Sequence, residues 1–414
     1  MTERRWSALG LVLLACAGEP AGDEVASESD SSSSESDSSG SDSSGSDSSG
    51  SDSSGSDSTT GDPPRPERLV VTADWLTHRL SLLDYAAIRD GATTRDEALW
   101  REIDLSAWEP GPLELSLTPD GQSALVSFSP GFFTGVIGNL LGAGTLPPGH
   151  GLALIELETG TPIHEFETMN SAMHPVITAD GASAWVTNYG GDGPSDVGST
   201  IAKLDLVAGT VELEFEVGSR PHQIDLSADE SLAITATASD GAVQLFGTAD
   251  PEVSVSADLI TSGDTGWAIL LDDGSGRAFS ANSLNSSSYS LIDVSDPGLP
   301  TLIETVELAT VPYAAHPIGD GRRMLMTGVD LASEQLHLYE IDLGSGGEPS
   351  TITRDLLLPG GGFPLGLAYA PEDELVLIPA PGDNLLLVVS LTDESARAIP
   401  WQDVTGPSYV VIEP

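Results

Sequence analysis

Cysteine occurs once in the 414 residues, at Cys16, so no disulfide can form within the chain whatever the redox state of its compartment. Lysine also occurs once, at Lys203. All basic residues together number 15 against 64 acidic ones, for a formal charge of -49. Such a surface repels a phosphate backbone at long range, which excludes nucleic acid as a partner. It suits a well-solvated protein, high external salt or divalent cations. No apolar run reaches the roughly 20 residues that a membrane-spanning helix needs. The G-x-S-x-G elbow, the H-E-x-x-H helix and a phosphate-binding glycine loop are all missing, which removes the commonest hydrolase and nucleotide-binding signatures.

What is present begins with an address. Arg4 and Arg5 precede the apolar segment Trp6 to Ala15, the charged and apolar regions of a secretory signal. The segment ends Leu13-Leu14-Ala15-Cys16, which resembles the lipobox of bacterial lipoproteins. The resemblance implies cleavage before Cys16 and acylation of that residue, with the one cysteine standing where lipidation needs it. Several acyl chains give durable anchoring. Ala17 follows where an inner-membrane retention signal would place Asp, so the expected location is the outer membrane or the cell surface.

From Glu19 to Asp62 the chain is mostly Ser, Gly, Asp and Glu, with SDSSG repeated at Ser36–Gly40, Ser41–Gly45, Ser46–Gly50 and Ser51–Gly55. Nothing here can build a core, and the regularly spaced carboxylates keep such a segment extended. It reads as a tether of roughly 35–40 Å or more that lifts a folded domain off a lipid surface. A calcium-binding repeat is the alternative, but the glycine and apolar pattern of such repeats is missing. The expected organisation is a signal over residues 1–15, a lipidated cysteine and tether over 16–66, and one folded domain over 67–414.

The folded part repeats one sentence. Trp185 to Glu230 divides at turn signals into four short alternating strands, the size of one antiparallel propeller blade. First strands begin at Leu113, Pro175, Gln223, Trp267, Tyr313 and Leu365, and each runs into an Asp- or Glu-bearing turn such as Pro119-Asp120-Gly121 or Ala179-Asp180-Gly181. The fourth strand of the unit starting at Gln223 is placed at Val253–Leu259. Six complete units emerge at a period of about 45–60 residues. Leu69–Asp74, Arg79–Tyr85 and Ala98–Leu105 lack a first strand, and Ser408–Glu413 supplies one. Joining them predicts an all-β, seven-bladed β-propeller closed by the C-terminal strand, which removes exposed sheet edges.

Trp185-Val186-Thr187-Asn188-Tyr189, with Ser199-Thr200-Ile201, Leu204-Asp205, Arg220-Pro221-His222 and Ser227-Ala228-Asp229, resembles the YVTN-type β-propeller repeat. That group lies close to the lactonase-like seven-bladed propellers. Here the leading Tyr is Trp, and the other blades keep only the hydrophobic pattern. The resemblance implies the fold; many functions sit on this scaffold.

Connectivity gathers the loops on one rim. The insertion Pro130–Gly151, the loop Tyr189–Ser199 and the loop Ser283–Ser288 share it with Met173-His174, Arg220-Pro221-His222, Gly266-Trp267 and Pro312-Tyr313. The candidate binding rim is therefore His150, His174, Tyr189, Asp192, Asp196, Arg220, His222, Trp267 and Tyr313. The apolar insertion reads either as a plug of the channel mouth or as a patch facing a partner or membrane. His150, His174 and His222 could meet around a divalent metal with Asp192 or Asp196, although their spacing matches no ligand motif and wet-channel histidines are commoner. His316 lies deeper on its strand. A lactonase-like hydrolase would need an acid/base such as His222 with Arg220 or an acidic neighbour.

The reading is a monomeric envelope lipoprotein acting as a binding module, with its membrane contact through the lipid and an unidentified protein or glycan at the loop-rich rim. No cofactor is expected beyond that metal. The alternatives are a lactonase-like hydrolase, a metal-binding propeller and a self-associating coat component.

Overall fold

The aspartate that recurs in the first hairpin of each unit has a local cause. Asp120, Asp180 and Asp229 each accept the hydroxyl proton of the residue two before, Thr118, Thr178 or Ser227. Each also accepts the backbone N–H two after, from Gln122, Ala182 or Ser231. These Asx turns satisfy the hairpin's backbone and hold all three carboxyls below their ordinary range. Gly121 and Gly181 then take the left-handed conformation that the turn demands, and Glu230 takes it at φ 56°.

The computed structural model describes residues 63–414 except 110, 129–150, 169–170, 191–196, 262–264, 284–285, 346, 361–363 and 402–406. Cys16, the tether and the insertion at 130–150 lie outside the described residues. From Arg65 onward the chain forms seven four-stranded antiparallel sheets, the blades of a β-propeller. Blade 1 comprises Tyr409–Ile412, Leu69–Asp74, Arg79–Asp84 and Leu99–Asp104, and blade 2 Pro112–Leu117, Ser123–Phe128, Gly151–Glu156 and Pro162–Glu167. Blade 3 is Ala172–Ile177, Ser183–Gly190, Val197–Asp205 and Thr210–Glu216, and blade 4 Pro221–Leu226, Leu232–Thr237, Ala242–Gly247 and Leu259–Ile260. Blade 5 is Thr265–Leu270, Arg277–Asn282, Ser288–Asp293 and Thr301–Glu307. Blade 6 is Val311–Ile318, Arg323–Asp330, Gln335–Asp342 and Thr351–Leu358, and blade 7 Ala368–Ala370, Leu375–Ala380, Leu385–Ser390 and Ser395–Pro400. Each first strand touches the first strands of both neighbours, so they form the wall of a central channel.

Closure occurs as the sequence predicts. Tyr409–Ile412 pairs antiparallel with Leu69–Asp74, from Val70 opposite Ile412 to Ala73 opposite Tyr409. Glu413 fastens the join. Its carboxylate accepts the Leu69 N–H at 2.8 Å and pairs with Arg65 at 2.9 Å, while its carbonyl accepts from Arg68. At the seam with blade 7, the Trp401 indole donates to the buried Asp74 at 3.1 Å, and the Thr72 and Ser81 hydroxyls donate to the same carboxylate. Burial still pushes Asp74 up to about 6.

One strand is not where the pattern places it. Val253–Leu259 is not the fourth strand of blade 4. Pro251 opens a short helix, Pro251–Ser254, and only Leu259–Ile260 pairs with the third strand. The Ser254 hydroxyl accepts the Gly247 N–H and the Ser256 hydroxyl accepts the Leu245 N–H, so serine oxygens replace the missing ladder. Two further short helices, Tyr85–Arg89 and Arg95–Ala98, fill the connection inside blade 1 that the sequence pattern leaves blank. Between blades the core is apolar, as where Trp185 and Phe215 of blade 3 meet Phe246 of blade 4 at ring distances of 5.5 and 5.0 Å.

Candidate functional site at the channel

Three consecutive blades begin the same way. Gly111, Ser171 and Arg220, each immediately before a first strand, have φ of 111°, 60° and 53°. Glycine bears this freely, whereas Ser171 and Arg220 bear it at a cost of the order of 1 kcal/mol. Within the first strands of blades 2 to 6, two residues then face one on the second strand: 113–114, 173–174, 222–223, 266–267 and 313–314. Such bulges re-aim side chains. Here they set Glu114, His174, Gln223, Trp267 and Ala314 at equivalent positions, with His222 and Tyr313 one residue earlier.

The bulges bring the titratable groups together. His174 Nδ1 donates to the Glu114 carboxylate at 2.6 Å, with the two residues only 6 % and 1 % exposed. The Thr187 hydroxyl accepts the His174 backbone N–H and donates to the His222 carbonyl, which fixes both histidines from behind. His222 Nε2 lies 2.9 Å from the Tyr313 hydroxyl, a bond from blade 4 to blade 6 across blade 5. Burial pushes His222 down to about 4, so the imidazole is neutral at physiological pH. Burial holds Tyr313 and Tyr409 well above the usual phenol range.

Aromatic rings close the group. The His174 ring lies 5.7 Å from Trp267 and 6.1 Å from Tyr409, and Trp267 lies 6.0 Å from Tyr313. At the rim the Arg220 guanidinium stands 5.2 Å over Tyr189, whose ring meets His222 at 5.7 Å. One turn inward, Gln223 and Asp225 accept the backbone N–H groups of Ala268 and Leu270, tying blade 4 to blade 5. Burial pushes Asp225 up to about 7.

The structure thus joins His174, Tyr189, Arg220, His222, Trp267 and Tyr313. Tyr189 ends a strand instead of sitting in a loop. His150, Asp192 and Asp196 lie outside the described residues. Among the described residues no three His, Cys, Asp or Glu side chains converge as metal ligands. The His222 ring bonds Tyr313, and the carboxylate–imidazole pair is Glu114 with His174. His316 sits deeper as expected, 6.4 Å from Tyr369 and pushed down to about 4 by burial. Sequence reasoning missed Glu114, Gln223, Asp225 and Tyr409. A signal existed for Glu114, a lone charge inside an otherwise apolar first strand, two residues past Gly111-Pro112 as Gln223 is two past Arg220-Pro221.

No family model and no curated protein matches the chain. Solved structures do. The periplasmic gluconolactonase of Pseudomonas aeruginosa aligns with a TM-score of 0.64 and 16% identity, over 84% of this chain and 99% of its own. A Bacteroides uniformis protein provisionally assigned as a 6-phosphogluconolactonase gives 0.61 and 14%, over 84% and 99%. Hydrazine synthase of Kuenenia stuttgartiensis gives 0.54 and 18%, over 68% and 77%. At these identities the likeness is one of fold, and the fold carries different chemistries.

Proposed function

We propose that the propeller is a binding module whose ligand is a small hydroxyl-bearing molecule, of the sugar class, held at the centre of the channel. The observation that carries this reading is the buried Glu114–His174 pair, set beside the neutral His222–Tyr313 pair and walled by Trp267 and Tyr409. Fixed donors and acceptors among aromatic faces suit the hydroxyls and the apolar ring face of a sugar. Isothermal titration of the full chain with glucose and δ-gluconolactone tests it. Binding lost in Trp267→Ala and Glu114→Gln supports the reading, and no heat from either sugar removes it.

A second reading is favoured by the same pair. The Glu114 carboxylate fixes the His174 proton on Nδ1, leaving Nε2 to act as a base, an arrangement known from hydrolytic triads. Water attacking a lactone carbonyl would give its proton to Nε2. The ring C–O bond would break, and the same proton would pass to the departing alkoxide to give the hydroxy acid. The lactonase-like neighbours lend support to this chemistry on this fold. Acid release from δ-gluconolactone, abolished in His174→Ala, separates hydrolysis from binding.

The N-terminal signal, Cys16 and the acidic tether support an envelope-anchored protein. Incorporation of labelled fatty acid, lost in Cys16→Ser, tests the anchor.

A further inference from the structure

The first strands alternate beyond their bulges, so Ser116, Asp225 and His316 stand one tier below Glu114 and His174, together with the buried Ile269 and with Val176, which packs against the Trp185 cluster. The upper tier is buried, with Glu114, His174, His222, Trp267, Tyr313 and Tyr409 all under a tenth exposed. Below it Ser116, Asp225 and His316 are partly exposed. Among the described residues, solvent reaches this lower tier from the face formed by the first-to-second-strand turns.

The turns around that opening are charged unevenly. On blades 2, 3 and 4 they carry Asp120, Asp180, Asp229 and Glu230 with no Lys or Arg among them. On the opposite side the guanidiniums of Arg65, Arg68, Arg277 and Arg322 stand beside Glu413, Glu372, Asp273 and Asp320. Arg65 also reaches the blade 2 turn through the Gly121 carbonyl, but its charge is matched by Glu413. Acids outnumber bases among these turn residues, and the excess falls on blades 2 to 4. An excess of one sign of charge around a constriction concentrates its counter-ions and repels its co-ions.

We propose that the ligand enters the channel from the turn face and that Asp120, Asp180 and Asp229 select against anions, so the ligand is neutral or cationic and not a phosphorylated or acidic sugar. This rests on the channel cluster being the ligand site, and it sets that site apart from one built for a sugar phosphate.

A thiol probe in the lower tier tests both halves without the ligand. In the full chain with Cys16→Ser, Ser116→Cys is the single thiol. Its reaction with a trimethylammonium and a sulfonate methanethiosulfonate is timed, each against free cysteine. The cationic reagent is expected to react roughly tenfold faster than the anionic one. The gap should close in 1 M salt, and also in Asp120→Asn, Asp180→Asn, Asp229→Asn, where Asn keeps the turn's acceptor oxygen. A thiol inert to both reagents overturns access from this face. Equal rates, or a gap that the triple variant leaves unchanged, overturn the charge selection. Sugar titration fails separately if the binding reading itself is wrong.

Discussion

The Glu114 carboxylate accepts from Nδ1 of His174 at 2.6 Å although the two residues are 60 positions apart and belong to different blades. Each arrives there by the same device, a left-handed residue followed by a bulge, repeated one blade later. The pair is thus a product of the repeat's backbone, with the side chains exchanged at one position to give a carboxylate on one blade and an imidazole on the next.

Glu114→Gln keeps the size and an acceptor oxygen but removes the charge that orients the imidazole. If His174 works as a base, hydrolysis of δ-gluconolactone should fall by roughly 10²–10⁴ in kcat with little change in KM. Melting temperature should move by only a few degrees. Loss of KM alone would place the pair in binding and not in chemistry.

Asp225 has a folded-state carboxyl pushed up to about 7 from 3.8. Folding therefore favours its protonated form. Its contribution is present below the unfolded value and is lost as pH rises through 7. Asp225→Asn imitates the protonated acid and keeps an acceptor for the Leu270 N–H. Thermal melts should show Asp225→Asn ahead of the parent at pH 8 by roughly 1–3 kcal/mol and level with it near pH 4, the lower figure reflecting screening by channel water. A constant gap across that window would mean the carboxyl is not shifted.

His222 gives the opposite sign. Its folded value near 4 lies below the unfolded 6.5, so its contribution is present above 6.5 and is lost as pH falls through 4. Acid unfolding monitored by tryptophan fluorescence should begin at lower pH in His222→Gln than in the parent, since glutamine has no proton to take up.

Glu413 joins the two ends of the chain at three points. Glu413→Ala removes the acceptor of the Leu69 N–H and the ion-pair partner of Arg65, and should cost roughly 1–3 kcal/mol in urea unfolding. Deleting 409–414 removes the inner strand of blade 1 altogether and should abolish cooperative unfolding. A deletion variant that melts like the parent would mean the ring does not depend on its clasp.

Asn188 lies two residues before the end of the second strand of blade 3, and Asn282 ends that of blade 5. In blade 5 the Ser280 hydroxyl donates to Asn282 Oδ1, whereas in blade 3 the equivalent residue is Val186 and Asn188 Oδ1 is buried without a partner. Val186→Thr restores a hydroxyl at nearly the same volume. Most Val-to-Thr changes in a core cost 1 kcal/mol or more, roughly the price of an unpaired hydroxyl. Here calorimetry should find the variant within about 0.5 kcal/mol of the parent.

Local signals carry the architecture because they act over a few residues. An aspartate two positions before a backbone N–H makes its own turn, and alternation of Val, Leu and Ala with polar residues makes a strand whether or not the rest of the chain is known. Counting such units gave seven blades, and the orphan strand at 409–412 gave the closure. The exception shows the rule: in Val253–Leu259 the apolar alternation was overridden by Pro251 and by serines that hydrogen-bond the neighbouring strand's edge. The candidate site obeys a different physics. Which of the inward residues meet depends on ring curvature and on bulges that add one residue to a strand, and neither leaves a mark in periodicity. From sequence the companions offered to His222 were Arg220 or an acidic neighbour; in the folded ring its Nε2 bonds Tyr313, 91 positions away, and His174 pairs with Glu114. Sequence alone determined that the chain makes seven similar sheets and closes them, because hydrogen bonding within a blade is local. Tertiary structure alone decided which side chains share the channel, because convergence on an axis is a property of the closed ring and not of any one repeat.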